Sequence, residues 1–218
     1  TATEFRLKVL KPFLDAHLKT DAPKADTPPV FIFRTGAMEW DRLPKWPLAC
    51  ENGCAAQMKP LYLQPGLGLG FDAPAAGEAA AFDEYVSDPA KPVPYVRRPV
   101  RWDDGDQWRY WLTTDQRHVD GRPDVLTYVT PPLTAPLRIA GAPIVNLFAS
   151  TTGTDSDWVV KLIDVYPDVV PSQMELGGYE LPIGMDIFRG RYRESFETPK
   201  AIPAGSVEKY RFVLPPAN

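Results

Sequence analysis

Proline narrows the fold of this chain more than any other feature. The 25 prolines among 218 residues run from Pro12 to Pro216 rather than massing in one tail, at about twice the usual ~5% share. Each one fixes φ and removes a backbone donor, so long helices and long central strands are interrupted. The chain is therefore expected to consist of many short elements separated by turns.

One segment escapes that rule. In TATEFRLKVLKPFLDAHLK, residues Phe5, Val9, Phe13 and His17 recur every fourth position, with Leu10, Leu14 and Leu18 widening the stripe. This pattern predicts an amphipathic helix. Thr1 and Glu4 stand at capping-box spacing, and Pro12 is expected to kink the helix. KTDAPKADTPP then reads as a linker closed by two prolines. After Pro29 come VFIFR, PLYLQ, YWLTT, VLTYVT, LRIAG, IVNLFAST, WVVKLIDVY, YELPIGMDIFRGRYR and KYRFVLP, short apolar or β-branched runs set apart by turn signals. No helical stripe follows the linker and no repeat period emerges, so an all-β sandwich is expected.

The size and composition are those of an ordinary globular protein, 44% hydrophobic and 24% charged, and 218 residues suffice for one large domain. A net charge of -4 and a pI near 5.3 leave no basic footprint for nucleic acid. No run of eighteen apolar residues and no signal-peptide order occurs, so no membrane span is expected. The two cysteines, Cys50 and Cys54 in CENGC, flank an Asn-Gly turn. They form either a short-loop disulfide, pointing to an oxidising compartment, or two free thiols.

Catalytic groups are scarce. A serine hydrolase needs a hydroxyl, a base and an orienting acid, yet only His17 and His118 are available. His17 sits on the helix stripe as a packed or rim residue, and His118 lies among charged residues before an expected strand, as at an exposed turn. The chain contains no G-x-S-x-G elbow, P-loop, dinucleotide fingerprint or H-E-x-x-H motif. Asp103, Asp104 and Asp106 around Gly105 are spaced as in hard-cation loops but fail the later EF-hand positions, which favours a solvated turn over calcium. Trp102, Trp108 and Trp111 would stack sugar if exposed and coplanar, but serve as core if buried. Asp155, Asp157, Asp164 and Asp168 frame a strand and announce no sugar cleft.

The order of several long segments carries more information. DQRHVDGRPDVLTYVTPPLTAPLRIAGAPIVNLFASTTGTDSDWVVKLIDVYPD, together with VLKPFLDAHLK, PKADTPPVFIF, EWDRLPKWP, YVSDPAKPVPYV, GGYELPI and FRGRYRESF, resembles the C-terminal β-sandwich of the X-Pro dipeptidyl-peptidase and cocaine-esterase superfamily. Within it, the chain is most similar to α-amino-acid ester hydrolases, which also act on β-lactam antibiotics. The resemblance implies a mainly β fold: a jelly-roll, galactose-binding-like sandwich over residues 25–218, preceded at 1–24 by the last helix of an α/β-hydrolase domain and a linker. It implies that the triad lies outside the chain, so no catalytic, metal or cofactor residue is assigned and the chain alone is expected to be inactive. Its partners would be the hydrolase and cap domains of a periplasmic or secreted, homo-oligomeric parent. That parent would act on small esters or amides through an acyl-enzyme, without nucleic acid or membrane. Relatives continue past FVLPPAN, so an unpaired strand edge and an exposed Phe5–Val9–Phe13 face are expected. A carbohydrate-binding jelly roll and a metal-stabilised adhesion domain are the competing readings.

Overall fold

The computed structural model describes residues 2–48, 56–75, 82–96, 98–99, 101 and 110–217. Two compact units divide them. The first takes residues 1–58, 137–142 and 216–218, and the second takes 59–136 and 143–215. The expected architecture, strands with one helical segment at the start, is what the chain adopts.

In the first unit, α1 (Ala2–Phe5) and α2 (Lys11–Leu18) are joined by a π-helical turn, Arg6–Leu10. The N–H of Lys11 reaches back to the carbonyl of Arg6. This wider turn accommodates Pro12, which falls in the first turn of α2, where a missing donor costs little. The expected kink is thus a π-turn. Glu4 accepts from Lys8 at 2.8 Å and from the Trp40 indole at 3.1 Å, while the Thr1 half of the capping box lies outside the described residues.

Trp40 lies on a hairpin of β1 (Val30–Arg34) and β2 (Glu39–Leu43). Strand β2 is charged enough to hide in the sequence, but its alternation is regular. Trp40 and Arg42 meet Phe33 and Phe31 across one face, and Asp41 and Leu43 are buried on the other. Trp40 lies parallel to Phe31 at 4.5 Å, meets the edge of Phe33 at 5.3 Å and stacks on Phe5 at 6.2 Å. That face holds the helical segment; beyond it, Phe5, Leu10, Phe13 and Leu14 remain 38–42% exposed.

The second unit contains a small hairpin, β3 (Tyr62–Gln64) with β4 (Gly68–Gly70), and two longer pairs. Strand β5 (Ile144–Ala149) pairs antiparallel with β8 (Glu208–Val213), and β6 (Asp157–Val165) with β7 (Glu180–Arg189). Strand β8 alternates strictly, with Tyr210 and Phe212 buried and Lys209, Arg211 and Val213 outward. The core forms where Tyr210 meets Trp158 at 5.2 Å, Phe188 meets Tyr210 at 6.1 Å, and Phe188 stacks on Phe212 at 5.1 Å. Pro182 is tolerated within β7 because the register shifts beside it, between Leu162 and Ile163 of β6.

Three expected strands do not form ladders. YWLTT is a turn whose Thr113 and Thr114 hydroxyls donate to the Tyr110 carbonyl. VLTYVT lies between prolines and, among the described residues, pairs only at Val129, through a parallel bridge with Gly68. LRIAG gives Arg138 to Asp41 and pairs only at Gly141, with Ala217.

Candidate functional site

A polar cluster of the second unit is built on the turn Gln116–His118, which β7 and the loop before it receive. Asp115 caps the turn. Its carboxylate accepts the Arg117 N–H at 3.1 Å, the Arg117 Nε at 2.7 Å and the Glu180 N–H at 3.3 Å. Burial opposes ionisation of Asp115, but these hydrogen bonds and the Arg117 charge hold its carboxyl below the usual range. Arg117 in turn donates to the Gly177 carbonyl at 3.2 Å, and the Tyr179 hydroxyl donates to Thr113 at 2.6 Å.

Beneath the turn, Gln116 is 1% exposed. It donates to the Thr114 carbonyl and accepts from the Lys161 ammonium, each at 2.5 Å. Lys161 lies on the face of β6 opposite Trp158, with its ammonium 5.7 Å from the centre of the Tyr95 ring. It forms no ion pair among the described residues, and burial lowers its pKa. Glu180 moves the other way: burial, then the charges of Asp120 and Asp115, push its carboxyl up.

His118, expected at an exposed turn, instead belongs to this cluster and is half-buried. Its Nδ1 donates to the Asp115 carbonyl at 2.9 Å, and the buried Nε2 has no hydrogen-bond partner among the described residues. Among the described residues no serine, threonine or cysteine is hydrogen-bonded to it, so no hydroxyl or thiol is paired with the imidazole. The cluster's geometry is that of a fastening: Asp115, Gln116 and Arg117 each bind a different part of β6, β7 or the loop between them.

The remaining sequence candidates scatter. His17 is exposed on α2, its ring 4.5 Å from Phe13. Asp155 pairs with Arg191 and Asp157 with Arg189, whereas Asp164 and Asp168 are exposed. Trp111 tilts at 48° against Tyr95. Cys50, Cys54, Trp102, Trp108 and Asp103–Asp106 lie outside the described residues. Among the described residues no His, Cys, Asp or Glu group of three could hold a metal ion, and no helix is long and apolar enough to cross a membrane. Sequence reasoning missed Gln116, Lys161 and Glu180. The available signal was Lys161, one cation inside the otherwise apolar run Trp158–Ile163.

The chain is 33% identical over 205 residues to the cocaine esterase of Rhodococcus sp., covering 90% of this chain and 32% of that protein. It superposes on a solved α-amino acid ester hydrolase with a TM-score of 0.94 and 62% identity, covering 100% of this chain and 35% of that one. A solved aminopeptidase from a marine sediment Thaumarchaeota archaeon gives 0.91 and 50%, covering 100% and 34%. The chain thus spans about a third of the length of these relatives. Residues 23–218 match the model of the X-Pro dipeptidyl-peptidase C-terminal non-catalytic domain, and the chain belongs to that family.

Proposed function

We propose that this chain is the non-catalytic β domain of a serine hydrolase that cleaves or transfers α-amino acyl esters and amides, β-lactam antibiotics included, through an acyl-enzyme formed elsewhere in a longer polypeptide. The observation that carries this reading is the 62% identity to an α-amino acid ester hydrolase over the whole chain. Two features support it. The polar cluster at Asp115–His118 is occupied with fastening the turn to β6, β7 and the loop between them, and among the described residues it pairs no hydroxyl or thiol with His118. The exposed Phe5, Leu10, Phe13 and Leu14 side chains give residues 1–24 an apolar face suited to a neighbouring hydrolase domain.

In this reading the jelly roll proper starts near residue 25, and the longer protein is periplasmic or secreted and homo-oligomeric. The test compares the 218-residue chain with the full-length polypeptide on phenylglycine methyl ester. The longer protein turns the ester over and transfers the acyl group to an added amine nucleophile, while the chain alone stays at the blank rate. Turnover by the chain alone, or none by an intact and folded longer protein, overturns the proposal.

A further inference from the structure

Lys161 is placed unlike the other lysines of the chain. Among the described residues every other lysine is exposed, and Lys8, Lys11, Lys19 and Lys200 are held by carboxylates. Lys161 is half-buried, and its terminal nitrogen meets neutral groups: the Gln116 amide oxygen at 2.5 Å and the Tyr95 ring, whose centre is 5.7 Å away. Both neighbours are themselves fixed. Gln116 donates to the Thr114 carbonyl, and the Tyr95 hydroxyl donates at 3.5 Å to the Sδ of Met185, the cross-strand partner of Lys161.

That setting suits a nucleophilic amine. A carboxylate would hold the nitrogen as ammonium, whereas an amide oxygen accepts from the neutral amine as well. Burial without a counter-charge lowers the Lys161 pKa, so more of the reactive free base is present near neutral pH than at an exposed lysine. The neighbourhood is aromatic and apolar. Trp111 lies 5.7 Å from Tyr95, and the two rings are 37% and 40% exposed. Val159, two residues back on the same face of β6, and Ile187 opposite it on β7 are each 55% exposed.

We propose that Lys161 is a covalent carbonyl-binding site that takes aromatic aldehydes as imines. The lone pair of Nζ attacks the aldehyde carbon to give a carbinolamine. The carbonyl oxygen then leaves as water with the two protons of the amine, and a C=N bond remains. When protonated, this imine keeps one N–H, which Gln116 accepts, and its charge faces the Tyr95 ring. The ring of the aldehyde packs against Tyr95 and Trp111, which sets the preference for aromatic over aliphatic carbonyls. The site is separate from the ester hydrolysis proposed above.

Reductive labelling of the 218-residue chain tests this. Limiting benzaldehyde is added at pH 7 with sodium cyanoborohydride, which reduces each imine to a stable benzylamine, and the labelled lysines are mapped by peptide mass spectrometry. Lys161 is expected to label about tenfold faster than the average exposed lysine, and the excess disappears when the chain is labelled in urea. Propanal shows a smaller excess, and Tyr95→Ala removes the preference for benzaldehyde over propanal. Lys161→Arg, which keeps the charge, abolishes labelling at this position and leaves the rates at the other lysines unchanged. Labelling of Lys161 no faster than that of the exposed lysines overturns the proposal, as does an excess that persists in urea. An excess of equal size for benzaldehyde and propanal overturns the assignment of aromatic aldehydes.

Discussion

Arg138 donates to Asp41 at 2.7 Å, and the carboxylate that receives this bond has no exposure to solvent. Arg34 stands 3.4 Å from the other carboxylate oxygen, so one buried negative charge faces two guanidinium groups. Desolvating such a group is costly, and the arrangement persists because each partner compensates the others. Asp41→Ala should destabilise the chain by about 3–5 kcal/mol, because it leaves two partly buried cations together. The triple replacement Asp41→Leu, Arg34→Met, Arg138→Met should recover most of that loss. Urea unfolding at constant slope measures both, and a single-variant loss below about 1 kcal/mol would place the pair in the class of solvated ion pairs instead.

Tyr210 presents the opposite case. Its ring is fully buried between Trp158 and Phe188, and its hydroxyl has no hydrogen-bond partner among the described residues. An unmade hydrogen bond in the core costs free energy, whereas the ring supplies the packing. Tyr210→Phe is expected to leave stability unchanged or raise it by up to about 1 kcal/mol. Tyr210→Ala should cost about 3–5 kcal/mol. Thermal unfolding of the two variants separates hydroxyl from ring; a loss above about 1 kcal/mol in Tyr210→Phe would mean that the hydroxyl is satisfied.

Strands were legible where burial writes a period of two in apolar letters, as in IVNLFAS and KYRFVL, or where a short run is continuously β-branched and aromatic, as in VFIFR. They were illegible where a charge does the inward-facing work. Glu39–Leu43 looks like a loop until Arg34 and Arg138 are seen to neutralise Asp41. The reverse error came from YWLTT and VLTYVT, whose β-forming composition is overridden by local hydroxyl–carbonyl bonds and by flanking prolines. The cluster at Asp115 was hidden for a different reason. Its members come from residues 115, 161 and 180, and only tertiary pairing of β6 with β7 brings them together.

Arg193 should act as the clamp of the segment Gly190–Ala201. Its side chain is 6% exposed and donates to the carbonyls of Gly190, Lys200 and Ala201 at 3.2, 2.9 and 3.0 Å. Removing it strands the Lys200 and Ala201 carbonyls, while that of Gly190 keeps the Arg193 backbone N–H, so Arg193→Ala should cost about 2–3 kcal/mol and open the segment to protease. Arg193→Lys should rescue little, because one ammonium cannot reproduce the planar fork. Gly190 anchors the same segment: a Cβ there would stand 2.7 Å from both the Ile202 Cδ1 and the Ser156 carbonyl. Gly190→Ala is expected to cost about 1–3 kcal/mol, and limited proteolysis alongside calorimetry would show cutting within 190–201 before global unfolding.

Glu180 and Asp115 should give this chain opposite responses to pH. Burial, with Asp120 and Asp115 adding to it, raises the Glu180 carboxyl above its ordinary 4.5. Below that value both folded and unfolded states hold the proton; as pH rises through it the unfolded chain ionises first, so stability falls until the folded carboxyl has ionised too. Glu180→Gln should therefore stabilise the chain at pH 7, and the gain should vanish as pH drops below about 4.5. The Asp115 carboxyl lies below its ordinary 3.8 despite burial, because Arg117 and the Glu180 N–H bind its charged form. Its contribution is present above that value and is lost as pH falls through the folded pKa, so Asp115→Asn should destabilise at neutral pH and lose its effect in acid. Unfolding midpoints from pH 3 to pH 8 for both variants provide the check. Destabilisation by Glu180→Gln at pH 7 would mean that attraction to Arg117 outweighs burial and the two neighbouring carboxylates, and would refute the assignment.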